Sequence, residues 1–409
     1  MTAAAPRSPD ADVVCLGESM VAFRPADQDA GLADAAAFTR GIGGAESNVA
    51  CALAAAGHRA KWVGRVGADA FGDHLVAAIA AYGVDVSAVE RDPARPTGVY
   101  FRTAGERSLG LPAPPGAGGP PAEVLYYRAG SAASAMSAAL ADRAAAWSGR
   151  ILHLTGITAA LSAGCLALVR ALTERRPGRP LVSFDVNYRT ALWRNAATGP
   201  AAAGGSAVLA GLARRCDLVF AGEDEAEAAW GVRGAAAIRA ALPEPRILVV
   251  KHGAAGATAY VRAAADGPGE AAHGRADAVV FVPAPSVDVV APVGAGDAFA
   301  AGFLSGTLRG LSVEQRLRHG HLMAAAALTS PGDLAAPPRR DHADRLAALG
   351  PAAWGRLRLG PGWTGAESPP AGDTATPAVP ATPAGDTADP ADPAAPAVPA
   401  APAAKDRTP

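Results

Sequence analysis

The sequence has few cysteines, few lysines and few aromatic residues, and each shortage excludes something. Its four cysteines (Cys15, Cys51, Cys165, Cys216) form no CxxC pair and no zinc-like spacing. A disulfide framework or a structural zinc site is therefore not expected, and small buried thiols in a reduced, cytoplasmic protein are. The lysines are Lys61, Lys251 and Lys405, and none follows a glycine, so a Walker A phosphate loop is absent. No window reaches the ~18 consecutive apolar residues of a membrane span. The first residues, MTAAAPRSPDADVV, lack the apolar stretch of a secretory signal. Charge of either sign is not in excess: 37 Lys and Arg stand against 38 Asp and Glu, a net −1. That balance supplies no general field for nucleic acid or an anionic membrane, and neither is expected as a partner.

What is present is apolar mass: half of the 409 residues are hydrophobic. Residues 1–10 read as a flexible N-terminus, and 362–409 as an Ala/Pro-rich tail. The tail holds eleven of the 35 prolines, no Leu, Ile, Phe or Tyr, and repeats AGDTA and PAVPA. Such a segment buries too little apolar surface to offset its ordering entropy, so disorder is expected there. A second Pro/Gly-rich run, 109–121, reads as a flexible insertion between strands.

Between about 11 and 350, short apolar runs alternate with helical ones. DVVCLG (12–17), ILHLTG (151–156), LVSFDV (181–186), DLVF (217–220) and ILVVK (247–251) predict buried strands. Helices are predicted over Ala45–Ala56 and Ala70–Tyr82, closed by Gly57 and Gly83, and over Ser162–Thr173 and Glu223–Trp230. The alternation predicts an α/β fold with a mostly parallel sheet. Two stretches, about 21–42 and 96–130, carry β-like pieces without helices, and predict a small antiparallel lid over the sheet's carboxyl ends.

The strongest local signal is Pro292-Val-Gly-Ala-Gly-Asp-Ala-Phe299, a glycine turn opening a helix. The first amides of such a helix form an anion hole for phosphate. Asp297 would stand at its mouth as a base, or it is simply a helix N-cap. A second cluster, Gly41-Ile-Gly-Gly-Ala-Glu-Ser-Asn48, is a tight strand–helix turn. It is not a dinucleotide fingerprint, because Glu46 occupies the third glycine position. Arg128 and Arg189 fall at predicted strand ends; each is a planar fork suited to a carboxylate, or a solvated surface residue. His319 and His321 lie on different helix faces and cannot share a metal. His153 reads as a buried strand residue.

Six ordered segments carry a resemblance: GGAESNVA (43–50), WVGRVGADAFG (62–72), YYRAGSAAS (126–134), LTGITAALS (154–162), FDVNYRTALW (184–193) and PVGAGDAFAAGFL (292–304). Together they resemble the ribokinase-like sugar kinases over about residues 11–335, and the YYR and NYR..LW segments resemble the branch acting on 2-keto-3-deoxygluconate. The resemblance implies a three-layer fold with a β-lid, Mg2+ and ATP as cofactors, and phosphorylation of the sugar's terminal hydroxyl. It implies Asp297 as the base and the amides of Gly294, Ala295 and Gly296 as the anion hole. Gly43, Gly44, Asn48, Tyr126, Arg128, Arg189 and Asp333 would bind the sugar acid. Asn187, Lys251, Gly253, Gly256 and His321 would serve the nucleotide, and Glu225 would organise magnesium through water. It also implies a possible homodimer through the lid. Two departures stand out: Gly222 replaces the usual asparagine of an N-x-x-E motif, and Ala291 replaces the aspartate usual before the glycine turn. Potassium activation is accordingly not expected. The alternatives are a neutral sugar such as fructose, or a catalytically weak sugar- or nucleotide-binding regulator.

Overall fold

The computed structural model describes residues 9–27, 30–103, 123–139, 143–194, 204–262, 276–332 and 334–365. The 109–121 insertion, nearly all of the 362–409 tail, most of the N-terminus and Asp333 lie outside them.

Eight strands form the central sheet: β1 (Ala11–Leu16), β4 (Ala60–Val63), β9 (Gly149–Thr155), β10 (Leu181–Asp185), β11 (Leu218–Gly222), β12 (Ile247–Lys251), β13 (Ala257–Val261) and β14 (Ala278–Val282). Their order is β14-β13-β12-β11-β10-β9-β1-β4. From β4 to β12 every pairing is parallel, and β13 and β14 are antiparallel additions at one edge. The central parallel strands are mostly apolar because both faces are covered. Along β1, Val13 and Cys15 enter one core and Val14 and Leu16 the other. The same two-residue alternation sorts Leu218 and Phe220 from Val219 and Ala221.

On the Cys15 face pack α1 (Ala45–Ala55), α2 (Ala70–Ala81), α10 (Ala295–Leu308), α11 (Val313–Leu328), α12 (Arg340–Ala347) and α13 (Pro351–Trp354). On the Val14 face pack α3 (Arg143–Ala146), α4 (Gly156–Ala160), α5 (Ala163–Thr173), α6 (Thr190–Arg194), α7 (Gly205–Ala213), α8 (Glu223–Trp230) and α9 (Ala235–Ala241). Helix starts follow the expected chemistry. Asp69 accepts from the Gly72 amide at 2.8 Å and Ser162 from the Cys165 amide at 3.1 Å. Phe299 and Phe303 of α10 sit edge-on to Phe220, 6.4 and 5.5 Å between ring centres. Gly302 faces the His319 carbonyl of α11 so closely that any side chain there would collide, which lets the two helices touch.

The lid is a separate four-stranded sheet of β2 (Met20–Pro25), β3 (Phe38–Gly43), β7 (Val99–Arg102) and β8 (Val124–Tyr127), in the order β3-β2-β7-β8. It corrects one expectation. β2 and β7 pair in parallel, not antiparallel, because the chain runs through α1 and α2 between them and returns in the same direction. Two short parallel pairs complete the strands: β5 (Arg65–Gly67) with β6 (Glu90–Asp92), and β15 (Ser286–Val287) with β16 (Arg358–Leu359). Among the described residues no helix is long and apolar enough to cross a membrane.

Candidate active site

Strand order reverses between β1 and β9: the chain builds β1 and β4 outward, then continues from β9 on β1's other side. In open α/β sheets the carboxyl ends beside such a point form a ligand crevice. Five polar or charged side chains stand at those ends here: Glu18 after β1, Thr155 on β9, Asp185 on β10, Glu225 just past β11, and Lys251 on β12.

Gly294 starts α10 with φ 74°, in the left-handed region that a side chain disfavours. The first amides of α10, from Gly294, Ala295 and Gly296, are thereby presented as a free helix N-terminus. Three and four residues upstream, the Ala291 and Val290 amides anchor the loop by donating to the Leu328 carbonyl at 3.2 and 2.8 Å. Lys251 lies beneath this terminus, its Nζ 3.7 Å from where a Gly296 side chain would begin. The ammonium also bonds both carboxylate oxygens of Asp185, at 2.9 and 3.2 Å.

Asp297 sits half-buried on the first turn of α10, and Asn48 Nδ2 of α1 donates to its Oδ2 at 2.9 Å. Burial pushes the Asp297 carboxyl up to about 6; the Asn48 hydrogen bond, Arg189 and Lys251 act in the opposite sense. Glu225 accepts from the Gly222 amide at 2.9 Å, and its other oxygen stands 3.9 Å from Arg189. Burial raises its pKa as well, opposed by Lys251.

On the lid side, Gly43 lies against the Tyr100 hydroxyl and Gly44 against the Glu18 carbonyl, both too close for a side chain. The Tyr126 ring stacks on Tyr100, 5.7 Å between centres, and lies 5.3 Å from the Arg128 guanidinium. Arg128 is ion-paired to Glu18. Asn187 follows β10 with φ 37°, a strained conformation that asparagine tolerates better than most residues. The arrangement thus brings Asp297, Asn48, Lys251, Arg189, Glu225 and the helix amides to one electrostatic neighbourhood.

His321 is placed elsewhere: its Nε2 bonds the Val282 carbonyl at 3.1 Å and its ring stands 5.2 Å from Phe299. Burial pushes it down to about 4, so the ring is neutral. Gly253 and Gly256 shape the turn after β12, which His252 fastens to Glu223 and Thr258, both at 2.9 Å.

Four buried polar atoms around the cleft have no hydrogen-bond partner among the described residues: Asn48 Oδ1, Asn187 Oδ1, Arg189 Nη1 and Arg128 Nε. Each orphaned group costs about 1–3 kcal/mol. Sequence reasoning missed Glu18, Asp185, Glu46 and Tyr100. Asp185 was legible in principle, inside the FDVN segment; Glu46 and Glu18 had no local signature. A larger cavity of about 550 Å3, lined by Lys61, Val63, Glu90 and Ser148, shares none of these residues.

Comparison with known proteins agrees with the fold. Residues 10–340 match the pfkB family of carbohydrate kinases, and the chain belongs to that family. It is a phosphotransferase acting on an alcohol group. It is 34% identical over 335 residues to the 2-dehydro-3-deoxygluconokinase of Bacillus subtilis (strain 168), covering 81% of this chain and 93% of that protein. The enzyme of the same name from Thermoproteus tenax is 31% identical, covering 82% and 93%. Among solved structures, the PfkB protein of Polaromonas sp. JS666 superposes with a TM-score of 0.65 at 32% identity, covering 83% of this chain and 100% of that one. A sugar kinase of Pyrococcus horikoshii in complex with ATP shares the fold at a TM-score of 0.64 and 22% identity, covering 80% and 96%.

Two predictions follow from the carboxyls. If Asp297 is the base, kcat/KM falls tenfold per pH unit below about pH 6, and Asp297→Asn lowers kcat by about 10²–10⁴-fold with ATP binding retained. A pH-independent rate between 5 and 7 contradicts this. Glu46, buried against Gly17, accepts from Thr155 and Thr158 at 2.8 and 2.7 Å, and burial raises it from near 4.5 to about 7. A raised acid binds its proton in the folded chain and not in the unfolded one across that window. Stability therefore falls as pH rises from ~4.5 to ~7, by about 3 kcal/mol from this group. Glu46→Gln removes that contribution, so its Tm declines less between pH 5 and 8 than the wild type's; equal declines contradict the assignment.

Proposed function

We propose that the protein transfers the γ-phosphoryl group of ATP to the terminal hydroxyl of 2-keto-3-deoxygluconate, the same compound as 2-dehydro-3-deoxygluconate. The observation that carries the reading is the junction of a free helix N-terminus with Asp297, where Arg189 also acts on the carboxyl, while the lid contributes a second guanidinium, Arg128, paired to Glu18. The names of the Bacillus and Thermoproteus relatives support the acid sugar. Fructose as substrate has less support, because an uncharged ketose gives Arg128 and Arg189 no carboxylate to meet.

In the reaction the α10 amides hold the γ-phosphoryl oxygens, with Lys251 adding positive charge behind them. Asn48 holds Asp297 by Oδ2, so Oδ1 accepts the proton of the sugar hydroxyl as its oxygen bonds to phosphorus and the bond to ADP breaks. The lid residues Gly43, Tyr126 and Arg128, with Gly44 at the start of α1, orient the sugar and exclude water. Asn187, Gly253 and Gly256 are assigned to the nucleotide side and Asp333 to the sugar; His321, buried against Phe299 with its Nε2 on the Val282 carbonyl, is given no ligand role.

No group of three or more His, Cys, Asp or Glu suited to a metal occurs among the described residues. Asp185 is engaged by Lys251, and Glu225 would meet a magnesium ion only through water, as the resemblance implies. Magnesium bound in this way would neutralise phosphate charge. Ala291 gives no carboxylate at the loop, consistent with no potassium activation. We further assign the chain to the cytoplasm, with residues 11–350 as the kinase domain and 21–42 and 96–130 as its lid. The lid's exposed Tyr127, Leu125 and Phe38 suit a homodimer through that face.

The test is a sugar panel with Mg2+ and ATP, reading ADP release. 2-Keto-3-deoxygluconate should be preferred, and Arg128→Ala should raise its KM by about 10–100-fold while barely changing use of fructose. Preference for fructose or ribose overturns the substrate assignment, and no turnover with any sugar favours a binding regulator.

A further inference from the structure

The body and lid meet at a buried acid with no role assigned so far. Glu18 is only 2% exposed and occupies the Gly17–Ser19 turn that carries the chain from β1 into β2. Its Oε2 pairs with Arg128 Nη2, and its Oε1 accepts from Ser131 Oγ at 3.4 Å. Arg128 and Ser131 are the two ends of one turn, closed by the Ser131 amide donating to the Arg128 carbonyl at 3.1 Å, with Gly130 at φ 73° between them. One carboxylate therefore clasps both ends of the turn that follows β8. The turn carrying Glu18 is itself pinned to α1: its carbonyl abuts Gly44, and Ser47 Oγ donates to Ser19 Oγ at 3.0 Å.

We propose that Glu18 is a positioning residue for substrate specificity, fixing the Arg128 guanidinium where it meets the carboxylate of an acid sugar. The inference rests on the keto-acid reading above. Arg128 is mostly withdrawn from water, its side chain 12% exposed, and a guanidinium so buried needs a counter-charge to stay there. Glu18 supplies it from a rigid sheet terminus rather than from the lid, so Arg128 is held relative to the reacting end of the cleft. The pair is locally neutral. An entering carboxylate then needs a second cation, and Arg189, whose Nη1 makes no hydrogen bond and stands 3.9 Å from Glu225, offers one. A neutral sugar needs neither arginine, so loss of Glu18 is felt selectively by the acid.

The test is a double-mutant cycle with Glu18→Gln, Arg128→Gln and the double variant, each full-length. KM and kcat are measured for 2-keto-3-deoxygluconate, together with KM for ATP and Tm. Glu18→Gln should raise the keto-acid KM by about tenfold or more, with kcat within about threefold and the ATP KM unchanged. The double variant should be no worse than Arg128→Gln alone, because Glu18 acts through that side chain. Additive losses, a keto-acid KM that is unchanged or lower in Glu18→Gln, or a parallel rise in the ATP KM each overturn the role. If the wild type itself rejects the keto-acid, the substrate reading fails and this inference falls with it. If the wild type accepts it and Glu18→Gln behaves the same, only the role of Glu18 is lost.

Discussion

A single hydrogen bond, Asn48 Nδ2 to Asp297 Oδ2, ties together residues 249 positions apart and on it the working geometry depends. It joins the first turns of α1 and α10, two helices that start from glycine turns on the same side of the sheet. Without it the glycine turns that open α1 and α10 would be joined only by apolar packing. With it, a carboxylate that burial makes more basic is held in one orientation at a helix mouth. Preorganisation of this kind is what phosphoryl transfer requires, since the chemistry asks for position and charge more than for strong acids or bases.

The surrounding charges are arranged so that few are isolated. Lys251 is held by Asp185, Arg128 by Glu18, and Arg189 loosely by Glu225. Buried pairs of this sort contribute little net stability against an apolar alternative, and their retention fits a role in binding better than one in folding. Stability comes instead from the two apolar layers either side of the sheet. These allow the site at its rim to carry orphaned polar atoms and a strained Asn187.

Much of the fold was legible because its strands are buried on both faces. ILVVK and LVSFDV announce themselves as continuous apolar runs, and Gly57 and Gly83 close helices one residue from where the spacing placed them. The lid was harder. Its strands are short and half-exposed, and nothing local shows that β2 and β7 run in the same direction. In the site, Asp297 and its glycines carry a sequence signature because backbone amides must approach a ligand. Glu18 and Glu46 carry none: each is a lone acid whose meaning comes from an Arg, two Thr or a glycine brought to it from elsewhere in the chain.

The central claim is that the α10 mouth and Asp297 direct phosphate onto the hydroxyl farthest from the arginine-held carboxylate. The most direct measurement is NMR of the product made from 2-keto-3-deoxygluconate and ATP, locating phosphorus by its coupling to neighbouring protons. The account predicts one phosphate ester on the terminal CH2 carbon. A phosphate on any other carbon, or ATP hydrolysed with the sugar untouched, would contradict it.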